Sequence, residues 1–292
     1  MQRQASTVIM PITDDPFAPV AGKPLSIRSG FEALSFKHAM FEGRMDPLVM
    51  VDHYTMIEPT FGAHPHAGMS AVTVLFEDSQ GAFNNRDSLG NNIDLMPGDL
   101  YWLKAGSGAV HDEKPVPGAR AHGLQMFVNL PARMKHDRPE ALHVKAGDIP
   151  VIETNGARAR IVLGESNGVR GASSPALPIT ILDVKIDKGS HFEHDGARNH
   201  SQWIYAADGR IEVAVGNELV TVAKGEAVAI KASQQGQALA VRAQVNSHVV
   251  VVTSEPIEES FVQRGPFVMQ TEAEIAQVEA AYHSGRLGGL DA

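Results

Sequence analysis

Two short polar pairs stand out for their chemistry. The first is His64-Pro65-His66 and the second is His111-Asp112-Glu113, within Ala105-Gly106-Ser107-Gly108-Ala109-Val110-His111-Asp112-Glu113-Lys114-Pro115. Residues two apart in a β-strand point to the same face, so each pair can project both members into one interior. Three imidazoles and one carboxylate then converge. Such a set suits Fe(II), and less selectively Mn, Ni, Cu or Zn, and in an octahedral ion it leaves two positions for water, dioxygen or a chelating substrate. Glu113 has a second capacity, because a carboxylate that can leave the metal can take a proton from a substrate hydroxyl. Taken alone, His-Pro-His is also the sequence of an ordinary loop with solvent-facing rings; the second pair, on a glycine-flanked strand, favours metal binding.

Composition narrows the alternatives. The 292 residues include 13 histidines and no cysteine, which excludes disulfides, thiolate metal sites, iron–sulfur clusters and cysteine nucleophiles. A formal net charge of −9 opposes direct nucleic-acid binding. The N-terminus lacks the apolar stretch of a signal peptide, and no window is long and apolar enough to cross a bilayer. A monomer resident in the cytoplasm, without membrane contact, is expected.

The elements that must position the two pairs read as strands. From Pro24 to about Leu130, short apolar or alternating runs such as Ala71-Val72-Thr73-Val74-Leu75-Phe76 and Leu100-Tyr101-Trp102-Leu103 are separated by turn signals such as Pro97-Gly98-Asp99. That rhythm indicates an all-β sandwich or barrel. A charged, proline-flanked segment at about Pro131 to Pro150 reads as a crossover containing a short helical turn, after which strands resume, as in Ile179-Thr180-Ile181-Leu182-Asp183-Val184 and Val249-Val250-Val251-Val252. The tail is helical: Thr271-Glu272-Ala273-Glu274 is a capping box, Ile275, Val278 and Tyr282 mark one face, and Gly285 is a stop.

A weak internal repeat relates Met96-Pro97-Gly98-Asp99-Leu100 to Ala223-Lys224-Gly225-Glu226-Ala227. With Gly98 matched to Gly225 at constant spacing, positions 64 and 66 fall on His191 and Glu193, and 111 and 113 on Ala238 and Ala240. The expected organisation is an N-terminal metal-binding barrel over residues 1–135 and a degenerate C-terminal barrel plus helix over 136–292. His191, His194 and His200 form a second histidine-rich stretch, but no downstream His-x-Glu completes it, and an exposed polar loop is the expectation. Tyr101 and Trp102 are read as core, Asp99 as a turn-fixing residue and Arg86-Asp87-Ser88 as an inter-strand polar contact. Gln125 reaches either the cavity or a backbone group.

Several segments also carry a family resemblance. FGAHPHAG, RDSLGN, MPGDLYWLKAGSGAVHDEKP, AHGLQMFVNLP and RGPFVMQTEAEI, in that order between about Asp46 and Gly288, closely resemble the hallmark segments of the pirin family in the cupin superfamily. The resemblance implies a bicupin: two stacked β-barrels (double-stranded β-helices), a metal in the N-terminal one, and a C-terminal helix. It places the family's metal ligands on His64, His66, His111 and Glu113, the residues reached from spacing. It implies Fe(II) and, in several members, a quercetin 2,3-dioxygenase reaction on a small aromatic substrate with O2; other relatives act as regulators through a protein partner. One departure matters: the family commonly reads His-Pro-His-Arg-Gly-Phe-Glu-Thr where this chain has His64-Pro65-His66-Ala67-Gly68-Met69-Ser70-Ala71, and groups behind the ligands tune affinity and substrate fit.

Overall fold

The computed structural model describes residues 17–196, 198–215, 218–232 and 238–290. Its strands form two units of the same construction. In the first, a seven-stranded sheet runs Glu140–Val144, Leu100–Lys104, Met69–Leu75, Ala121–Asn129, Leu48–Met56, Phe31–Lys37, Lys23–Ile27, beside a four-stranded sheet His64–His66, Ala109–Pro115, Phe83–Asp87, Asn92–Leu95. In the second, the seven-stranded sheet runs Val20–Ala21, Glu226–Ile230, Ser201–Asp208, Ser247–Ser254, Ile179–Ile186, Ala157–Leu163, Val151–Thr154, beside His191–His194, Leu239–Ala243, Arg210–Val215, Glu218–Ala223. Each ladder in these four sheets is antiparallel. The all-β bicupin architecture expected from the sequence is present.

By pairing, the chain changes sheets between Val144 and Val151. The strand Glu140–Val144 lies against Leu100–Lys104, and the short strand Val20–Ala21 reaches forward to pair with Glu226 and Ala227 of the second unit. The crossover segment does contain helical turns, at Ala132–Met134 and Ala146–Asp148.

The largest core lies between the units, where Phe36, Trp102 and Val128 meet Ile181, Trp203, Tyr205 and Val252. Trp102 is fully buried there, whereas its neighbour Tyr101 faces the interior of the first unit and donates its hydroxyl to Asp87. Both are core residues, as alternation in a strand buried on both faces requires.

The chain end returns to the first unit. The helix Glu272–His283 begins on the expected capping box, with Glu274 N bonded to Thr271 Oγ1 at 3.2 Å and Thr271 N to Glu274 Oε2 at 2.9 Å. Ile275 and Val278 are buried with Phe267, Met269, Ala67 and Val110, so this segment is seated directly behind the His-Pro-His strand.

The repeat is real but its alignment differs from constant spacing. Following the hydrogen-bond registers outward from the Gly98 and Gly225 turns, His111 corresponds to Leu239 and Glu113 to Val241, while His64 corresponds to His194 and His66 to Gly196. The turns between strands differ in length in the two units, so constant spacing slips and even reverses the inward face. Ala238 and Ala240 are not the inward positions; Leu239 and Val241 are, each 1% exposed.

Candidate metal centre

His64–His66 is an edge strand, so Pro65 lacks a backbone donor without breaking a ladder. It pairs with Ala109–Pro115 such that His64 faces His111 and His66 faces Ala109, whose small side chain leaves room for the third ring. The His111 Nε2 atom is 3.0 Å from His66 Nε2 and 3.1 Å from His64 Nε2. The three histidines form the one cluster of potential metal ligands among the described residues.

Electrostatics favour neutral rings with lone pairs facing one another. Burial, with His64 adding to it, pushes His66 down to about 3. His111 lies well below its ordinary value for the same reasons, burial first and then His66 and His64. Burial also lowers His64, whose Nδ1 donates to the Gly62 carbonyl at 2.8 Å and so leaves the lone pair on Nε2. Three convergent nitrogen lone pairs repel unless a cation or shared protons lie between them. Two nitrogens bound 2.0–2.1 Å from a common ion in adjacent octahedral positions stand about 3 Å apart; the observed separations fit such an ion.

Glu113 lies in the same cavity but outside the histidine cluster. Its Oε1 accepts from the Thr73 hydroxyl at 2.6 Å, and Thr73 Oγ1 also lies 2.8 Å from the Gln125 side-chain oxygen. One hydroxyl carries one proton, so if Thr73 donates to Glu113, the Gln125 amide turns its NH2 toward Thr73. Burial pushes Glu113 up to about 7, Thr73 opposes that rise, and Asp112 adds to it. Gln125 therefore reaches the cavity rather than a backbone group.

The cavity walls are mostly apolar. Phe31, Phe61, Phe83, Phe127, Met50 and Met56 line it, with Phe61 edge-on to Phe31 at 5.1 Å between centroids and Phe127 edge-on to His66 at 5.1 Å. The wall suits a flat ligand.

What stands behind the ligands is built from the far end of the chain. Ala67 is fully buried, bridges to Phe267 and accepts from Val268 N at 3.0 Å. At Gly68, φ is +70° and an added Cβ would stand 1.9 Å from the Val268 carbonyl oxygen. The fully buried Lys135 ammonium donates to the Gly68 carbonyl at 2.9 Å, Asn129 Oδ1 at 2.6 Å and the Val268 carbonyl at 2.9 Å, locking strap and loop together. The small residues Ala67 and Gly68 are thus the footing of the C-terminal strap.

Other candidates fall elsewhere. His191 to His194 is a strand rather than a loop; His191 is exposed, His194 is buried with Nδ1 2.8 Å from Ser166 Oγ, and the two do not converge with His200. Asp99 fixes its turn through Met96 N at 3.0 Å and Ala146 N at 2.7 Å, and Arg86 bonds Asp112 across strands at 3.0 Å. Sequence reasoning missed Thr73, although its place in the alternating Ala71-Val72-Thr73-Val74-Leu75 put it on the inward face. It also missed a polar chain at the unit interface: Tyr205 OH lies 2.5 Å from His53 Nδ1, His53 Nε2 lies 2.8 Å from His122 Nε2, and His122 Nδ1 lies 2.7 Å from Asp78.

Tandem seven-plus-four-stranded units, of which the first alone among the described residues has converging imidazoles in its interior, define a bicupin with a candidate metal centre in its N-terminal unit. The family model for pirin matches residues 26–128 and that for the pirin C-terminal cupin domain residues 181–288. A pirin-like protein of Solanum lycopersicum is 31% identical over 245 residues, covering 84% of this chain and 82% of the relative. The chain belongs to the pirin family. Among solved structures, a quercetin 2,3-dioxygenase from Acinetobacter baumannii is 25% identical with a TM-score of 0.83, over 94% of this chain and 99% of that one. A bacterial pirin from Escherichia coli in complex with nickel(II) shares the fold at 18% identity and a TM-score of 0.61, over 80% of this chain and 96% of that one.

Proposed function

We propose that His64, His66 and His111 hold a divalent metal, Fe(II) in the working protein, with Glu113 available as a fourth ligand, and that the N-terminal unit oxygenates a flavonol-like aromatic substrate with O2. The observation that carries this reading is the approach of His111 Nε2 to within 3.0 Å of His66 Nε2 and 3.1 Å of His64 Nε2 at an aromatic-walled cavity. The likeness to a quercetin 2,3-dioxygenase supports the substrate class, and the nickel(II) complex of a relative supports a divalent ion. Fe(II), when bound, supplies Lewis acidity and electron exchange with dioxygen.

The chain's own residues do the rest. Phe31, Phe61 and Phe127 hold the flat rings and exclude water. Glu113, held near neutrality in its proton affinity by burial, takes the proton of a substrate hydroxyl onto its carboxylate. Thr73 keeps Oε1 in place during that transfer and Gln125 keeps Thr73 in place. The second unit and the C-terminal strap brace the strand that carries His66.

Anaerobic loading with Fe(II), followed by quercetin and air, tests the proposal. Oxygen uptake matching quercetin loss is expected, absent in His111→Leu and slowed by about 10²-fold or more in Glu113→Gln. A fully iron-loaded protein that leaves quercetin intact would overturn the enzymatic reading.

A further inference from the structure

Two polar side chains in the cavity each keep an oxygen without a hydrogen-bond partner, and neither has a part in the chemistry given to Glu113. Asp52 and Tyr54 lie two residues apart on the strand Leu48–Met56, and both line the cavity shared by the histidines and Glu113. Asp52 is 7% exposed and Tyr54 2%, yet neither Asp52 Oδ1 nor the Tyr54 hydroxyl has a hydrogen bond. On the neighbouring strands Asp52 sits between Ser35 and Gln125: Ser35 already hydrogen-bonds its carboxyl and, with Lys37, favours its charged form, while the Gln125 side chain is engaged with Thr73. Asp52 and Tyr54 do not face each other closely, since residues two apart along a strand are separated by about 6–7 Å. Buried polar atoms without partners weaken a fold, and native proteins rarely keep them without a use.

We infer that Asp52 and Tyr54 form a substrate-recognition subsite on the cavity wall beside Gln125, Asp52 Oδ1 accepting from one hydroxyl and the Tyr54 hydroxyl bonding a neighbouring oxygen. The inference rests on the aromatic-substrate reading of this cavity and names its class more narrowly: a polyhydroxylated aromatic that carries hydroxyls beyond the one offered to Glu113. Charge selects that class over anionic ligands. Among the described residues no lysine or arginine lines the cavity, and two carboxyl groups do, so an incoming carboxylate or phosphate finds no counter-charge there. Burial raises Asp52 from its ordinary value, against the opposing effects of Ser35 and Lys37, a cost that a donating hydroxyl relieves.

The test is anaerobic binding of quercetin, and of its fully O-methylated ether, to the metal-loaded wild type, Asp52→Leu and Tyr54→Phe, with metal content and Tm measured alongside. Asp52→Leu weakens quercetin binding about tenfold or more and Tyr54→Phe several-fold. The ether binds weakly to all three proteins, metal content is constant, and the Tm of Asp52→Leu is unchanged or higher. Equal affinity of wild type and Asp52→Leu for quercetin, a wild type that binds neither compound, or a lowered Tm with parallel loss of both ligands overturns the inference. Asp52-dependent binding without oxygen uptake would refute the dioxygenase reading and leave the subsite standing; turnover with unchanged KM in Asp52→Leu would do the opposite.

Discussion

The two units share one strand plan and use their interiors in opposite ways. Where the first presents His111 and Glu113, the second presents Leu239 and Val241, and these join Ile161, Leu182, Phe192 and Val213 in a packed hydrophobic core. Where the first has His64 and His66, the second has His194, bonded to Ser166, and Gly196. At the matched positions one imidazole therefore survives in the second unit, and among the described residues no other potential ligands converge with it. The comparison teaches that a metal site in this scaffold depends on keeping aliphatic side chains out of a few inward positions. It also shows that correspondence between the units runs through hydrogen-bond register, since a count of residues reaches the wrong face of the strand.

The sharpest way to break the comparison is to exchange packing for hollowness. Leu239→Ala opens a void in a filled core and is expected to cost about 2–5 kcal/mol of stability. The matched His111→Ala, with chelator present, removes a ring already bordering a cavity and is expected to cost less than about 1 kcal/mol. Denaturant unfolding of both variants measures the difference, and equal losses would erase it.

Next in size is the brace on the first unit. Lys135→Met removes the buried ammonium from three oxygen acceptors, and a loss of about 3 kcal/mol is expected, with faster metal release because the loop after His66 loosens. Thermal unfolding and the rate of metal transfer to a chelator measure the two effects; stability falling with metal release unchanged would separate the brace from the site.

The smallest effect concerns the interface where the units meet. His53, bonded to Tyr205 of the second unit, is held down to about 3 by burial, with His122 and His248 adding to it, while Asp78 opposes and Lys224 assists. The unfolded chain takes up this proton near 6.5 and the folded chain only near 3, so stability is complete above about 6.5 and falls as pH drops toward 3. The slope from this one group is about 1.4 kcal/mol per pH unit. His53→Gln should flatten the stability profile by that amount between pH 6 and 4; an unchanged profile would mean the ring is already protonated in the fold.

Much of this was legible in the residues themselves. Period-two alternation exposed the strands, and the i, i+2 spacing of His64/His66 and His111/Glu113 placed each pair on one face. The capping box at Thr271 and Glu274 marked the helix start. What escaped depended on partners distant in sequence. Nothing near Lys135 reveals that its acceptors include Val268, 133 residues away, and nothing near Thr73 reveals Glu113, 40 residues away. The carboxylate stands beside the histidine cluster rather than within it, hydrogen-bonded to that threonine on the facing sheet. The meaning of Ala67 and Gly68 was hidden likewise, because the strap that rests on them comes from the other end of the chain.

Metal stoichiometry of the purified protein tests the contrast between the units most directly. Elemental analysis after loading with Fe(II) and desalting should find one ion per chain in the wild type and in His194→Ala, and none in His111→Leu, which carries the second unit's residue in the first unit's site. Two ions per chain, or one ion retained in His111→Leu and lost in His194→Ala, would contradict the account.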